Sequence, residues 1–394
     1  MPALKQLAAG LMLSAVCLFS QAAAERSPAP AIGPAFSWRA LATEQELARD
    51  LPWRQVQLIG GHNAYNERGD RVWQNQLWSI GTQLDHGVRV IELDLHYQAG
   101  PAGDWTVRAC HGITAQDCVF NNAGSRDFRE VLNEIRAWSD RHPQQVLIIE
   151  LENHISRAKD VLGPLLAAFG DLIYQAEERP SDWLEETPRR ILARGRRIIV
   201  ADFGPLRYDG TLIWDENELF SNLTSKDFGP GCSVRGQPMA GGHWGFYDDK
   251  TLHISGLPPI DAHNIQAYLA CDVRYLKLDR LNAAILAAAQ FSWTDDAMTT
   301  GCASMPASGY RWQPNDCASA ARFACREPHR PAWRLTTGAG PWAEGESTCR
   351  REFGPDFHFD VPRNFRQNLD LWEAFAKAEA KGSGVWMNYQ LPAP

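Results

Sequence analysis

The chain has 394 residues, 44% hydrophobic and 22% charged, with a formal charge of −8. That length holds one large domain and a small one, and the composition is that of a folded globular protein rather than a disordered one. The acidic balance, with no block of basic residues to offset it, argues against a nucleic-acid partner.

Lys5 precedes the apolar segment AAGLMLSAVCLFS, and QAAA follows, a small-residue cleavage pattern ahead of Glu25. Residues 1–24 are therefore expected to be a Sec-type signal peptide, too short to span a membrane permanently. Loss of Lys5 with that segment takes the formal charge from −8 to −9. The mature protein is expected to be secreted or periplasmic. No later segment has the length and apolarity of a membrane span, so any membrane contact is expected to be peripheral. Eight of the nine cysteines follow Cys17. An even number in an exported chain favours disulfides; zinc is the competing reading, but no C-x-x-C pair occurs and the spacings are irregular.

Residues 25–50 are Pro- and Ala-rich, then weakly helical. From about 53 to 290, apolar strand-like runs alternate with helical patterns, the sign of β/α units. Strands are expected at Gln57–Gly60, Val88–Leu95, Thr106–Cys110, Val146–Glu152, Arg197–Asp202 and Val273–Asp279. Phe128–Ser139 shows helical spacing of Val131, Leu132, Ile135 and Trp138. The fold class expected is α/β, an irregular TIM-type β/α barrel spanning 25–290. The stretch 204–262 is rich in Gly and Pro, and two barrel strands are hard to place there. After Gln290 the alternation stops and Trp, Cys and Gly become frequent. Residues 291–394 are therefore read as a small, disulfide-linked α+β domain.

The chemistry gathers at strand ends, where a parallel β/α barrel builds its sites. LIGGHNAY ends at His62 and Asn63, VRVIELDLHY carries Glu92 and Asp94, WTVRACHG ends at His111, and VLIIELENH carries Glu150 and Glu152. Residues two apart on a strand share a face, so Asn63, Glu92, Asp94 and Glu152 can converge at one mouth. Glu152 is favoured over Glu150 because it lies closer to the strand's end. Such an oxygen cage suits Ca²⁺ and, less well, Mg²⁺. A lone carboxylate at a strand end is usually a cap or an ion-pair partner. Several clustered carboxylates repel one another unless a cation compensates. His62 and His111 can supply acid–base catalysis at neutral pH. His86, His96 and His154 are expected to face solvent or cap helices.

Together, HNAY, QL-x-x-GVRVIELDLH, CHG and IELENH resemble the catalytic X region of phosphatidylinositol-specific phospholipase C, in its calcium-dependent form. The resemblance covers roughly residues 53–290, most strongly to 155. It implies a distorted β/α barrel that cleaves the glycerol–phosphate bond of inositol phospholipids. It further implies His62 and His111 as the catalytic histidines and Asn63, Glu92, Asp94 and Glu152 as calcium ligands. Metal-independent members of the family carry an Arg where the metal would sit, whereas this chain keeps acids. The formal base is left as His62 or Glu92. Eukaryotic members follow a later strand with lysines that hold extra phosphates. GRRIIVADF is followed by none, which points to unphosphorylated phosphatidylinositol or another phosphodiester. Asp279, on the strand expected beside the first, can orient His62 or pair with Lys277.

Trp73, with Leu77, Ile80 and Leu84, is read as a core-facing helical stripe, while Trp78 and the Trp244–Tyr247 loop are candidates for lipid contact. Beyond 291 the pieces RFACR, Cys349 and VWMNY resemble a C-type lectin-like domain joined in reverse order. That resemblance implies Cys302–Cys317 and Cys325–Cys349, leaving Cys110–Cys118 and Cys232–Cys271. It leaves room for a carbohydrate or protein partner, although the family's EPN-type sugar motif is absent. The competing functions are another barrel phosphodiesterase, of glycerophosphodiesterase or sphingomyelinase D type, and a non-catalytic carbohydrate- or lipid-binding protein.

Overall fold

Runs such as VIEL, LIIEL and IIVA put apolar side chains on both faces of a strand, as a parallel sheet covered on both sides requires. The computed structural model describes residues 35–68, 73–99, 104–112, 124–203, 212–239, 242–251, 256–294, 296, 300–328, 330–378 and 384–391. The expected signal peptide lies outside them. Nine strands position the site: β1 (Leu58–Gly61), β2 (Val90–Ala99), β3 (Trp105–Ala109), β4 (Leu147–Asn153), β5 (Ile198–Asp202), β6 (Trp214–Asp215), β7 (Ser221–Thr224), β8 (Trp244–Tyr247) and β9 (Tyr275–Leu278). All but β3 run parallel, in the order β6-β5-β4-β2-β1-β9-β8-β7. Among the described residues β6 and β7 are not paired, so this irregular barrel stays open between them.

Two features differ from the expectation. The segment expected at Thr106–Cys110 doubles back antiparallel on β2, with Leu95 opposite Ala109, so His111 follows a hairpin rather than a barrel strand. Trp244–Tyr247 is not a loop but β8, with Phe246 buried. Gly245 permits its close approach to β7, since a Cβ there would stand 2.6 Å from the Ser221 carbonyl oxygen. Strands of four residues, SNLT and WGFY, carry too little periodicity to be visible in a sequence.

Helices cover the sheet through one apolar face. In α1 (Trp38–Ala48) that face is Ala40, Thr43 and Leu47. In α2 (Phe128–Arg141) it is Phe128, Val131, Leu132, Ile135 and Trp138, and Asp127 caps the start by accepting from the amides of Arg129 and Glu130. From Gly301 to Leu391 a second, six-stranded sheet follows, with helix α3 (Phe365–Lys377) beside it. Cys302–Cys317 and Cys325–Cys349 staple this region, and Cys232–Cys271 staples the barrel. Cys118 lies outside the described residues. One continuous apolar core runs from Leu276 and Ile285 into Trp293, Trp312 and Leu371.

Candidate active site

The register of β2 on β4 sets Glu92 opposite Glu150 and Asp94 opposite Glu152. Both pairs point to one face, two residues apart along each strand. At the upper level Glu92, Asp94 and Glu152 offer carboxylate oxygens that lie within 4.8 Å of one another. Asn63 leaves β1 with φ of 46°, a left-handed conformation that Asn tolerates. Its backbone N–H donates to Glu92 Oε2 at 2.8 Å. Its side-chain oxygen accepts from the Tyr65 hydroxyl at 2.7 Å and faces the Asp94 carboxylate. An amide oxygen set against carboxylate oxygens is stable only with a cation between them; turned over, the amide would instead donate its nitrogen to the two Asp94 oxygens at 2.9 and 3.1 Å. Burial, then Glu152 and Glu92, pushes the Asp94 carboxyl well above the usual range. Burial also raises Glu92, although Lys277 opposes it. A set of crowded carboxylate oxygens is the donor set a hard divalent cation relieves, so the four residues fit Ca²⁺.

Beneath them lies a buried ionic layer. Lys277 donates to Glu92 at 2.7 Å and to Glu150 at 2.6 Å, and the Tyr275 hydroxyl donates to Glu150 at 2.6 Å. Gly60 makes room for that tyrosine, because a Cβ there would stand 2.6 Å from its ring. Glu216 shares a hydrogen bond with Glu150; burial, then the Glu150 charge, raises its pKa to about 10. Lys277 therefore pairs with two glutamates rather than with Asp279.

Asp279 instead faces His62, Oδ1 to Nδ1 at 3.0 Å, and it is itself held by the Asn75 side chain at 2.9 Å and the Lys250 amide at 2.7 Å. The other ring nitrogen of His62 lies 3.7 Å from Glu92. Burial lowers the His62 pKa, but Asp279 and Glu92 outweigh it and leave the ring well above its ordinary value. His111 has the opposite preference: burial, then the His62 charge, lowers it. Its Nδ1 is buried and has no hydrogen-bond partner among the described residues. The hairpin that carries it is tied down by the Cys110 amide, which donates to the Asp94 carbonyl at 2.9 Å.

The structure thus gathers Asn63, Glu92, Asp94, Glu152 and His62 at one mouth, with His111 within electrostatic reach of His62 and Glu152. Sequence reasoning missed Tyr65, Tyr275 and Glu216. Tyr65 lies in the HNAY motif itself, whereas Glu216 falls where no element was legible. His96 is buried rather than solvent-facing and stacks on His154 at 4.3 Å, and His154 bonds Glu152 at 3.1 Å. His86 does cap a helix, bonding the Thr82 carbonyl at 2.8 Å. The two tryptophans exchange their expected places. Residues 73–79 are not helical; Trp73 is 41% exposed and edge-on to His111, while Trp78 packs on His86 at 4.4 Å.

Residues 26–174 match the family model described as the Rv2075c PI-PLC-like domain. The matched stretch contains every site residue named from β1 to β4. Rv2075c of Mycobacterium tuberculosis, an uncharacterized protein, is 25% identical over 408 residues, which cover 90% of this chain and 80% of that one. The human PI-PLC X domain-containing protein 1 is 28% identical over 130 residues, covering 32% of this chain and 35% of that one. A calcium-dependent phosphoinositol-specific phospholipase C from Pseudomonas sp. aligns with a TM-score of 0.37 and 15% identity, over 65% of this chain and 96% of that one.

Proposed function

We propose that this protein is an exported, Ca²⁺-dependent phospholipase C-type phosphodiesterase that cleaves phosphatidylinositol to diacylglycerol and inositol (cyclic) phosphate. The observation that carries the reading is the position of His62. Asp279 fixes its Nδ1 at 3.0 Å, and its Nε2 looks onto Glu92 beside the carboxylate cluster.

In this reading His62 stands by the attacking inositol 2-hydroxyl and the phosphate, and His111 stands on the side of the departing diacylglycerol oxygen. Asp279 and Glu92 favour the charged form of His62, which suits it to face the phosphate and leaves Glu92 to take the hydroxyl proton. His111, whose pKa burial lowers, takes up a proton before it gives one to the leaving oxygen. Asp279 keeps the His62 ring oriented, and Lys277 holds Glu92 in place from below. Ca²⁺ bound by Asn63, Glu92, Asp94 and Glu152 would supply charge neutralisation at the phosphate and acidify the attacking hydroxyl. Exposed Trp73 beside His111, Phe203 directly after β5 and Trp105 on the β2–β3 hairpin suit contact with a lipid surface at the mouth. The second sheet is proposed as a C-type lectin-like scaffold, with a carbohydrate or protein as its partner.

The test is product identification. The mature protein is incubated with phosphatidylinositol vesicles, sphingomyelin and glycerophosphodiesters, in Ca²⁺ and in chelator. Inositol cyclic phosphate formed only with Ca²⁺, and lost in His111→Ala without loss of Ca²⁺ affinity, is the expected result. Chelator-insensitive cleavage removes the metal from the proposal, and cleavage of sphingomyelin or glycerophosphodiesters alone replaces the substrate.

A further inference from the structure

A cavity of about 170 Å³ lies at the opposite end of the barrel from the mouth. Strand polarity locates it: Leu58 and Ile59 at the start of β1, Arg89 just before β2, and Val146 just before β4 line it. The carboxylates and histidines sit toward the other ends of these strands. α1 and the region around Phe291 and Phe365 complete the walls. The cavity therefore lies where the amino-terminal helix, the barrel and the second sheet's helix α3 meet.

Two groups in this lining have no partner. Gln45 Nε2 and Arg49 Nε are both buried, and neither has a hydrogen-bond partner among the described residues. Both are donors. The Gln45 oxygen already accepts from Gln145 at 3.0 Å, which fixes its amide with nitrogen as the free end. Among the described residues the Arg49 side chain bonds Gln144, through Nη1, at 3.3 Å. The remaining charges of the lining are engaged. Arg89 donates to Gln145 and to the carbonyls of Leu84 and Val88. Arg363 pairs with Asp360, and Glu44 accepts from the amides of Phe291 and Ser292. What the cavity lacks is an acceptor facing Gln45 and Arg49, and the guanidinium makes an anionic acceptor the better match. An apolar cavity of about 150 Å³ takes a molecule of benzene's size, so the space beyond the two donors fits a body of roughly six carbons.

We propose that this cavity is a second ligand site, which takes a monocarboxylate with a small apolar body. The carboxylate meets Arg49 and Gln45, and the apolar body lies against Leu58, Ile59 and Ile148. None of these residues belongs to the mouth, so the site stands or falls independently of the phosphodiesterase reading. Because the ligand touches parts of the chain far apart in sequence, it binds the folded protein alone and raises its melting temperature.

The experiment titrates benzoate and hexanoate, with benzyl alcohol and hexanol as uncharged counterparts, into the mature protein by calorimetry and thermal shift. The carboxylates are expected to bind at one site and raise Tm, with the alcohols at least tenfold weaker. Arg49→Met and Gln45→Leu are each expected to weaken carboxylate binding at least tenfold. Their own Tm should change little, because in each the loss of one hydrogen bond, to Gln145 or to Gln144, is offset by removal of a buried donor that lacked a partner. Phosphodiester cleavage should be unchanged in both. The site is refuted by carboxylates that do not saturate, by alcohols that bind equally well, or by a double variant that keeps full affinity.

Discussion

At His62 a single contact decides how the ring can work. Asp279 takes Nδ1 and so leaves Nε2 for the mouth, and the aspartate is fixed from behind by Asn75 and the Lys250 amide. Replacing Asp279 by Asn keeps the shape but removes the charge and sets an N–H against the donors that now hold it. The expected outcome is a fall in kcat of about 10²- to 10⁴-fold. KM should move only a few-fold, because Asp279 acts through His62 rather than on the substrate. Steady-state kinetics check this, with a thermal melt to confirm folding; an unchanged kcat would show that Asp279 is structural. The histidines and acids were legible because each ends an apolar run in a short motif. The contact between residues 62 and 279 was one of two open readings, since sequence could not say whether Lys277 would claim the aspartate. The structure gives Lys277 to Glu92 and Glu150, one level deeper.

Among the strands, the informative unit is the layer shared by β2, β4 and β9. Lys277 lies between two buried glutamates, so Lys277→Met leaves both charges without compensation. Breaking a buried pair of this kind costs about 3–5 kcal/mol, and a fall of that size in urea denaturation is expected. Added Ca²⁺ should restore more stability to the variant than to the parent, because the cation then replaces the Lys277 charge beside Glu92. Equal Ca²⁺ effects on the two proteins would argue against Glu92 as a ligand.

Glu216 belongs to the same layer. With its pKa raised to about 10, chiefly by burial, it is protonated in the folded protein at neutral pH but ionised once unfolded. Folding therefore takes up a proton, and the parent loses stability as pH rises from the ordinary glutamate range toward 10. Gln cannot ionise, yet its amide can still donate to Glu150. Glu216→Gln should match the parent near pH 4 and exceed it increasingly up to about pH 9, by an amount of the order of a few kcal/mol. Urea midpoints across that range test the sign, and a gap that does not widen with pH would refute it. Glu216 was illegible in the sequence because it sits on one turn of helix between β6 and β7, elements too short to show a period.

At the scale of the whole molecule, a change in composition near Gln290 was plain in the sequence, but the packing across that point was not. Contacts between residues hundreds of positions apart leave no local periodicity. Ser292 and Phe291 donate their amides to Glu44 of α1, and Trp293 donates to Thr43 at 2.9 Å. Farther on, the Asn364 side chain bonds the Gln55 carbonyl at 2.9 Å, the Phe365 amide bonds Gln57 at 3.0 Å, and Arg366 bonds the Ala270 carbonyl at 2.7 Å. A fragment ending at Gln290 would lose all of these and expose the apolar core that Trp312 and Leu371 now complete. The full protein is therefore expected to unfold in one calorimetric transition, with calorimetric and van't Hoff enthalpies equal. The fragment 25–290 should be insoluble or lack a cooperative transition. Two resolved transitions in the whole protein, or a fragment with full phosphodiesterase turnover, would show that the barrel folds alone and that the second sheet serves only as a partner surface.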